Sequence, residues 1–486
     1  MGSIAGIHGH EVDERVIQDM LEQMEHRGAN RIDIELLSKG AVGWSRRSEP
    51  DPSVSALEGD RAFVMLDGVL YEPRERGESD ADVLKRKYEQ EGEACFATLD
   101  GSYACAIVED DRVLLARDYV GARPLIYGAE DGVLRYASEA KALIGHLDRV
   151  DELPPGHLYS TDTGVREMPD PQCDVPDFET PKQGARVLRE LLTAAVEREM
   201  ADGAVGGVAL SGGLDSSIIA AIAKQFDGQL TLFSSTIARY PSPDIGYAKR
   251  MAEYLGLEHR IAEIHDEEIA DVIPEAIWYL ESFDEDCVSG FVANYFTSRL
   301  VSSGTNCTLV GEGADELFGG YFAELPGLSK EQRTELSETL VSIAYNTALR
   351  RLDRGWLAHS VDYRTPFLDP AVIAFSRKIP DEYKYYEDGH GGRGVEKWIL
   401  REAFAGDLPE ENRSRTKMRF ARGVGIDDLM DEAIAGDVTE EDLRKSPRTA
   451  GGLTLNSPKE LHYYRLFRSR FPEGYESLTA RWDPFK

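Results

Sequence analysis

Apolar and polar positions recur with two different periods along the 486-residue chain. Up to about residue 165 short apolar runs and alternating stretches dominate, which predicts a β-rich region with a few helices. Residues 3–7 read as a strand and 12–26 as an amphipathic helix ending before Gly28. Residues 61–70 alternate around Asp67-Gly68, a hairpin-like signal. Residues 101–108 and 112–116 read as a strand pair, 134–138 as a strand and 139–147 as a helix. Residues 166–181 then carry four prolines among acids, the composition of an extended linker. Beyond it the helical period takes over, with Val187, Leu188, Leu191, Leu192, Ala195 and Val196 on one face of a helix over 183–200. Strands at 230–237, 259–262 and 307–310 alternate with helices at 244–255 and within 267–302. That alternation predicts a parallel sheet covered on both faces, with ligand at the carboxyl ends of its strands. The chain is thus α/β, divided as 1–165, a linker over 166–184, and 185–486. It has no internal repeat and no low-complexity tract.

The second region turns on residues 206–221. The apolar run Val208-Ala209-Leu210 stops at Ser211-Gly212-Gly213-Leu214-Asp215-Ser216-Ser217, and helical spacing resumes at Ile218. The pattern is strand, glycine loop, helix. The glycines permit positive φ and close approach of a ligand. Ser216 or Ser217 is the expected cap. A helix start of this kind suits a phosphate chain. No Lys follows the glycines, which excludes the Walker pattern. Asp215 beside bound phosphate calls for a cation between them, pointing to Mg²⁺. The alternative for so short a motif is a plain turn between a buried strand and a helix.

The form Ser-Gly-Gly-Leu-Asp-Ser resembles the pyrophosphate loop of enzymes that split ATP into AMP and pyrophosphate: the asparagine, GMP, NAD and argininosuccinate synthetases and tRNA-thiolating enzymes. A second stretch, Gly311-Glu312-Gly313-Ala314-Asp315-Glu316-Leu317-Phe318-Gly319-Gly320-Tyr321, follows a predicted strand and sets three acids within five residues. Such density implies a cation or a catalytic use, against a solvated acidic turn. This stretch is similar to the second signature of the asparagine synthetase family. The similarity continues through Leu349-Arg350-Arg351-Leu352-Asp353-Arg354, Val361 to Asp369, Lys397-Trp398-Ile399-Leu400-Arg401, Arg415 to Phe420, Gly423-Val424-Gly425 and the tail Ser457 to Arg465. In the first region His26-Arg27-Gly28, Asp67 to Tyr71, Glu78-Ser79-Asp80, Asp100 to Tyr103, Ala116-Arg117-Asp118 and Tyr136 to Leu143 resemble the glutaminase half of the same family.

The resemblance implies an N-terminal αββα sandwich of the Ntn-hydrolase type. It implies a C-terminal PP-loop parallel sheet of the adenine-nucleotide α-hydrolase type, with a helical C-terminal part. It implies ATP and Mg²⁺ as cofactors, a small-molecule carboxylate and ammonia or another amine as partners, and a ligase as the activity. By the same resemblance Ser211, Gly212, Gly213, Asp215 and Ser216 form the pyrophosphate loop, and Leu210, Ile237 and Gly311 the adenine pocket. Asp215 and Asp315 hold Mg²⁺, Lys417 and Arg354 face the phosphates, and Glu312 is the base. Lys417 has a bland alternative as a surface lysine in the basic run 413–419.

The first region departs from the family at its centre. The family begins with a cysteine, exposed after Met removal, whose thiolate attacks glutamine. Here Gly2 stands in that position, Asp67 replaces an Asn that helps hold the oxyanion, and Val69 replaces a Glu. A carboxylate would repel the charge that such a pocket stabilises. Ser3 is one residue out of register as a substitute nucleophile. The expectation is a retained fold without glutamine hydrolysis. The alternatives within the fold are a β-lactam synthetase-like or lasso-peptide-cyclase-like enzyme, or a ligase acting on a different carboxylate. Outside catalysis, the alternative is a regulatory or assembly relative. Asp286-Cys287-Val288-Ser289 replaces a Thr-Thr-Ile-Arg of one branch, and the loss of that Arg leaves the carboxylate substrate open, with aspartate as the default.

Composition adds limits. A formal net charge of −33 excludes nucleic-acid wrapping and suits a high-salt cytoplasm or an ordinary acidic enzyme. Five scattered cysteines without a CxxC pair predict reduced thiols in a cytoplasmic protein and no zinc site. No 18-residue apolar run and no charged-then-apolar leader stands in the sequence, so neither a membrane partner nor export is expected. A homodimer is left open.

Overall fold

The computed structural model describes residues 2–9, 13–28, 30–47, 54–58, 62–109, 111–171, 173–239, 242–325, 327–387, 394–415 and 426–480. The first region packs two antiparallel sheets face to face. In chain order its strands are β1 (Gly2–His8), β2 (Arg31–Leu37), β3 (Gly40–Arg46), β4 (Val54–Glu58), β5 (Phe63–Leu70) and β6 (Gly101–Val108). They continue as β7 (Val113–Arg117), β8 (Ile126–Glu130), β9 (Val133–Ala137), β10 (Asp151–Glu152), β11 (His157–Ser160) and β12 (Gly164–Glu167). One sheet runs β10-β8-β9-β1-β3-β2 and the other β12-β11-β7-β6-β5-β4. Side chains alternate as the strand period demands. Ile4, Phe63 and Met65 meet between the sheets, while Ala5 and Ile7 face outward under α1 (Glu14–Glu22), and Val64 and Leu66 under α2 (Asp80–Glu91). The result is the expected αββα sandwich.

Two local expectations change. Asp67-Gly68 is no hairpin: β5 runs straight through it and pairs with β6 in unbroken register. Gly68 (φ +132°) is needed because a Cβ there would stand 2.0 Å from the Ser102 carbonyl oxygen. The predicted helix 139–147 is reduced to a single 3₁₀ turn, Ala140–Leu143, because Glu139 is extended and drawn into the domain interface.

The linker leads into α3 (Pro181–Met200), which opens on a capping box of Thr180 and Gln183. The five-stranded sheet has the order β15-β14-β13-β16-β17, and all its ladders are parallel. Its strands are β13 (Gly207–Ala209), β14 (Thr231–Ile237), β15 (Glu258–Ile264), β16 (Cys307–Leu309) and β17 (Asp362–Arg364). Its crossovers are α4 (Leu214–Phe226), α5 (Pro243–Leu255), α6 (Asp266–Leu280) and α7 (Glu285–Val301), and after β16 come α8 (Ala314–Phe318), α9 (Lys330–Ile343) and α10 (Ala348–Leu357). Helices dominate the rest. One hydrophobic cluster joins both domains: Ile7, Ile17 and Leu21 from the sandwich pack with Ile273, Ile277 and Phe291 of α6 and α7 and Phe467 of the tail. No helix among the described residues is long and apolar enough to cross a membrane. The five cysteines are free.

Candidate active site

A cleft opens at the carboxyl ends of β13, β14 and β16, where doubly wound sheets bind ligands. Ser211, Gly213, Asp215 and Ser216 line it from the first loop, Gly311, Glu312 and Asp315 from the second, and Trp356 from α10. The cleft is open to solvent, with polar side chains from both loops converging on it.

The loop after β13 takes its shape from its own residues. Gly212 sits at φ +78°, and a Cβ there would stand 2.5 Å from Asp244 O. The helix begins earlier than the expected serine cap: Gly213 is the N-cap and makes no side-chain cap bond. Ser216 instead turns back, its Oγ accepting from Ser211 N–H at 3.2 Å and lying 3.0 Å from Ser211 Oγ. The first-turn N–H groups of α4 therefore face the cleft without a side-chain cap. Gly311 is required by proximity, because a Cβ on it would lie 2.9 Å from Ser216 N.

The acids of the second loop are separated by their partners. Lys397 Nζ lies 2.5 Å from Asp215 Oδ2 and 2.5 Å from Asp315 Oδ1, with Lys397 itself buried and held at φ 54°. Gly320 makes room for that pair, since a Cβ there would collide with both Asp315 and Lys397. Glu312 accepts from Arg351 at 3.4 Å, and Arg351 also binds Asp286. Glu316 turns into the protein, where burial, then Asp315 and Glu312, push its pKa up to about 7. Tyr321 donates to it at 3.2 Å. Arg401 uses its guanidinium on the carbonyls of Glu396, Arg413 and Arg415, fixing the chain that leads toward Lys417.

Of the residues expected from sequence, Leu210, Ser211, Gly213, Asp215, Ser216, Gly311, Glu312 and Asp315 line one cleft, and Gly212 shapes its loop. Two expectations are corrected. Arg354 does not reach the cleft: it is fully buried at the domain interface, bonded to Asp353 and Glu281 and 3.5 Å from Glu139. Arg351, three residues earlier on α10, is the guanidinium beside Glu312. Ile237 lies past the cleft in the cluster shared with α6, and Ser235 on the same strand face forms the wall, its hydroxyl 2.8 Å from Thr297 Oγ1. Lys417 lies outside the described residues. Lys397 carries no sequence signal beyond its place in the Lys397 to Arg401 stretch.

The donor set fits a divalent cation only in part. Asp215 keeps Oδ1 buried without a hydrogen bond, and Asp315 stands opposite. Among the described residues no three acids, histidines or cysteines converge to cage a metal. A Mg²⁺ between these two acids would draw its remaining ligands from phosphate oxygens and water, as Mg²⁺ prefers.

The asparagine synthase family profile matches residues 187–337 and 324–461, and a glutamine amidotransferase domain profile matches 1–171. The chain belongs to the asparagine synthetase family. A maize (Zea mays) asparagine synthetase [glutamine-hydrolyzing] is 31% identical, with 96% of this chain and 85% of the relative covered. A rice (Oryza sativa subsp. japonica) relative of the same description is 30% identical over 96% and 84%, and one from Arabidopsis thaliana 31% over 96% and 86%. This asparagine synthetase relative is accordingly an ATP-dependent carbon–nitrogen ligase.

Where the family resemblance puts the thiol, the amidotransferase-like domain carries Gly2. Gly2 begins β1, and its carbonyl accepts from Arg27 Nε at 3.0 Å. Ser3 is fully buried with its hydroxyl 2.8 Å from Ser45 Oγ. Asp67 Oδ2 accepts from Arg27 and from Ser138 Oγ, each at 2.9 Å. Burial raises the Asp67 pKa, with Arg27 and Arg123 opposing.

Proposed function

We propose that the enzyme adenylates a small carboxylate, aspartate by default, and transfers free ammonia to it without hydrolysing glutamine. The observation that carries the ligase half is Asp215, in the uncapped first turn of α4, sharing Lys397 with Asp315. In the first step a carboxylate oxygen attacks the α-phosphorus of ATP, the bond to the β-phosphate breaks, and pyrophosphate leaves. Negative charge accumulates on the phosphates, so cationic side chains and N–H groups there lower the barrier. Asp215 and Asp315 would hold Mg²⁺, which when bound neutralises the pyrophosphate. Lys397 and Lys417 supply further positive charge, and the Leu210 and Gly311 backbone borders the base. In the second step ammonia attacks the acyl carbon, Glu312 takes its proton, and the bond to AMP breaks. Arg351 keeps Glu312 oriented.

The ammonia half rests on Gly2, which has no nucleophilic atom, and on the Arg27–Asp67 pair that occupies the oxyanion position. The test has three readings on wild-type protein. Pyrophosphate release across a panel of carboxylates identifies the acceptor, with aspartate expected. Product should form with ammonium salts, rising with pH as NH₃ grows. Glutamate release from glutamine should be absent with and without ATP; its presence would overturn the ammonia half. Adenylation with neither donor productive would mean a larger amine, and a cyclase or transferase.

A further inference from the structure

The amidotransferase-like domain meets the ligase domain through a buried run of charges centred on Arg27. Arg27 Nη1 donates to Glu139 Oε1 and Asp353 Oδ2, and Nη2 to Asp67 Oδ2, all at 2.9 Å. Arg354 donates to Asp353 at 2.7 Å and to Glu281 at 2.9 Å. Lys141 bonds Glu139 and lies 3.1 Å from Glu281. On the same helix as Asp353 and Arg354, Arg350 binds Glu152 of the first domain.

These contacts are ordered by the helix. Residues 350, 353 and 354 fall on one stripe of α10 by the i, i+3, i+4 rule, and that stripe faces the first domain. Leu352 and Trp356 lie on the opposite side and line the cleft. Arg351, on the flank of α10 between these two sides, reaches Glu312, and Gly290 leaves space for it, because a Cβ there would stand 2.4 Å from Arg351 Cδ. The rotation and height of α10 thus set Arg351, and the first domain grips α10 by three charged side chains. A guanidinium that spans Glu139, Asp353 and Asp67 at once is a geometric fixture no single point charge reproduces.

We propose that the pocket corresponding to the family's glutaminase site is a positioning device for the ligase: Arg27 and Glu139 clamp α10 through Asp353 and Arg354, and so hold Arg351 on Glu312. Arg27 and Glu139 are positioning residues that act through α10 and touch no substrate. The inference rests on the ammonia-dependent ligase reading. It gives the first domain a role in the reaction other than supplying nitrogen.

The experiment compares Arg27→Met, Arg27→Lys and Glu139→Gln, the last keeping the side chain's shape in case loss of Arg27 prevents folding. Turnover is measured with MgATP, ammonium chloride and the carboxylate giving the fastest pyrophosphate release, l-aspartate being tried first. Arg27→Met should lower kcat about 10-fold or more and Glu139→Gln several-fold, with KM for MgATP within about twofold. Arg27→Lys should recover part of the loss. Each change is then combined with Arg351→Lys. If both act through the placement of Arg351, the double variant falls little below Arg351→Lys alone. Unchanged kcat in a folded single variant, or double variants losing the product of the two single effects, would overturn the proposal. Glutamate release by the wild type would instead refute the ammonia reading and leave this ammonium-based comparison intact.

Discussion

Lys397 Nζ lies 2.5 Å from Asp215 Oδ2 across 182 residues of chain. The same ammonium is shared with Asp315, so one lysine offsets half the charge of the two acids expected to hold Mg²⁺. Two carboxylates facing each other without it would repel strongly in a buried site. Lys397→Met should therefore lower the melting temperature in metal-free buffer, and millimolar Mg²⁺ should recover more of that loss than it adds to the wild type. Pyrophosphate release should fall about 10²-fold. Melting curves with and without Mg²⁺ that move in parallel for both proteins would contradict this.

Asp315→Asn and Lys417→Ala are each expected to abolish adenylation, about 10²-fold or more, with the circular dichroism spectrum unchanged. Asp215→Ala should weaken binding of Mg²⁺-ATP more than binding of the carboxylate. Equal affinity of the wild type for ATP with and without Mg²⁺, by calorimetry, would remove the basis for that difference.

The correction on α10 is testable directly. Arg351→Lys keeps a charge beside Glu312 but cannot fork to Asp286 as well. It should cut kcat about 10-fold while the melting temperature changes little. Arg354→Met removes one of the two buried cations on Glu281, Lys141 being the other, and one of those on Asp353, so its main effect should be destabilisation by about 3–5 kcal/mol. Denaturant melts of the two variants separate these outcomes.

Glu199 predicts a pH effect of definite sign. Burial, opposed by Arg364 and Arg198 and assisted by Asp100, pushes its pKa up to about 8, from an ordinary value near 4.5. The folded state then binds more protons than the unfolded state between those values. Stability attached to Glu199 is full below pH 4.5 and is lost as pH rises through 8, at up to about 1.4 kcal/mol per pH unit. Glu199→Gln cannot titrate. Its melting temperature relative to the wild type should rise by a few degrees from pH 6 to pH 9; a constant offset would mean that Glu199 is ionised throughout.

Much of the architecture was legible because local patterns and tertiary structure agree. Val208-Ala209-Leu210 followed by two glycines and a helical run leaves little choice but strand, loop and helix, and β14, α3 and α5 begin and end within a few residues of their periodic runs. What was not legible depends on distance in space. Ser235 and Ile237 share a strand face, and only the end of the cleft separates them. Arg351 and Arg354 lie on one helix, and only the neighbouring domain decides which one faces Glu312. Lys397 is far in sequence from both acids it serves. Gly68 looked like a turn, whereas its missing Cβ serves close approach within a sheet.

The cluster that carries Ile7 and Ile17 together with Ile277 and Phe467 has a consequence for how the chain can be divided. Neither half owns that cluster, so a cut in the proline-rich connection would strip apolar cover from both fragments at once. The N-terminal sandwich is thus no detachable accessory of the ligase domain. Deleting its gene segment would expose apolar residues of α6 and α7 to water.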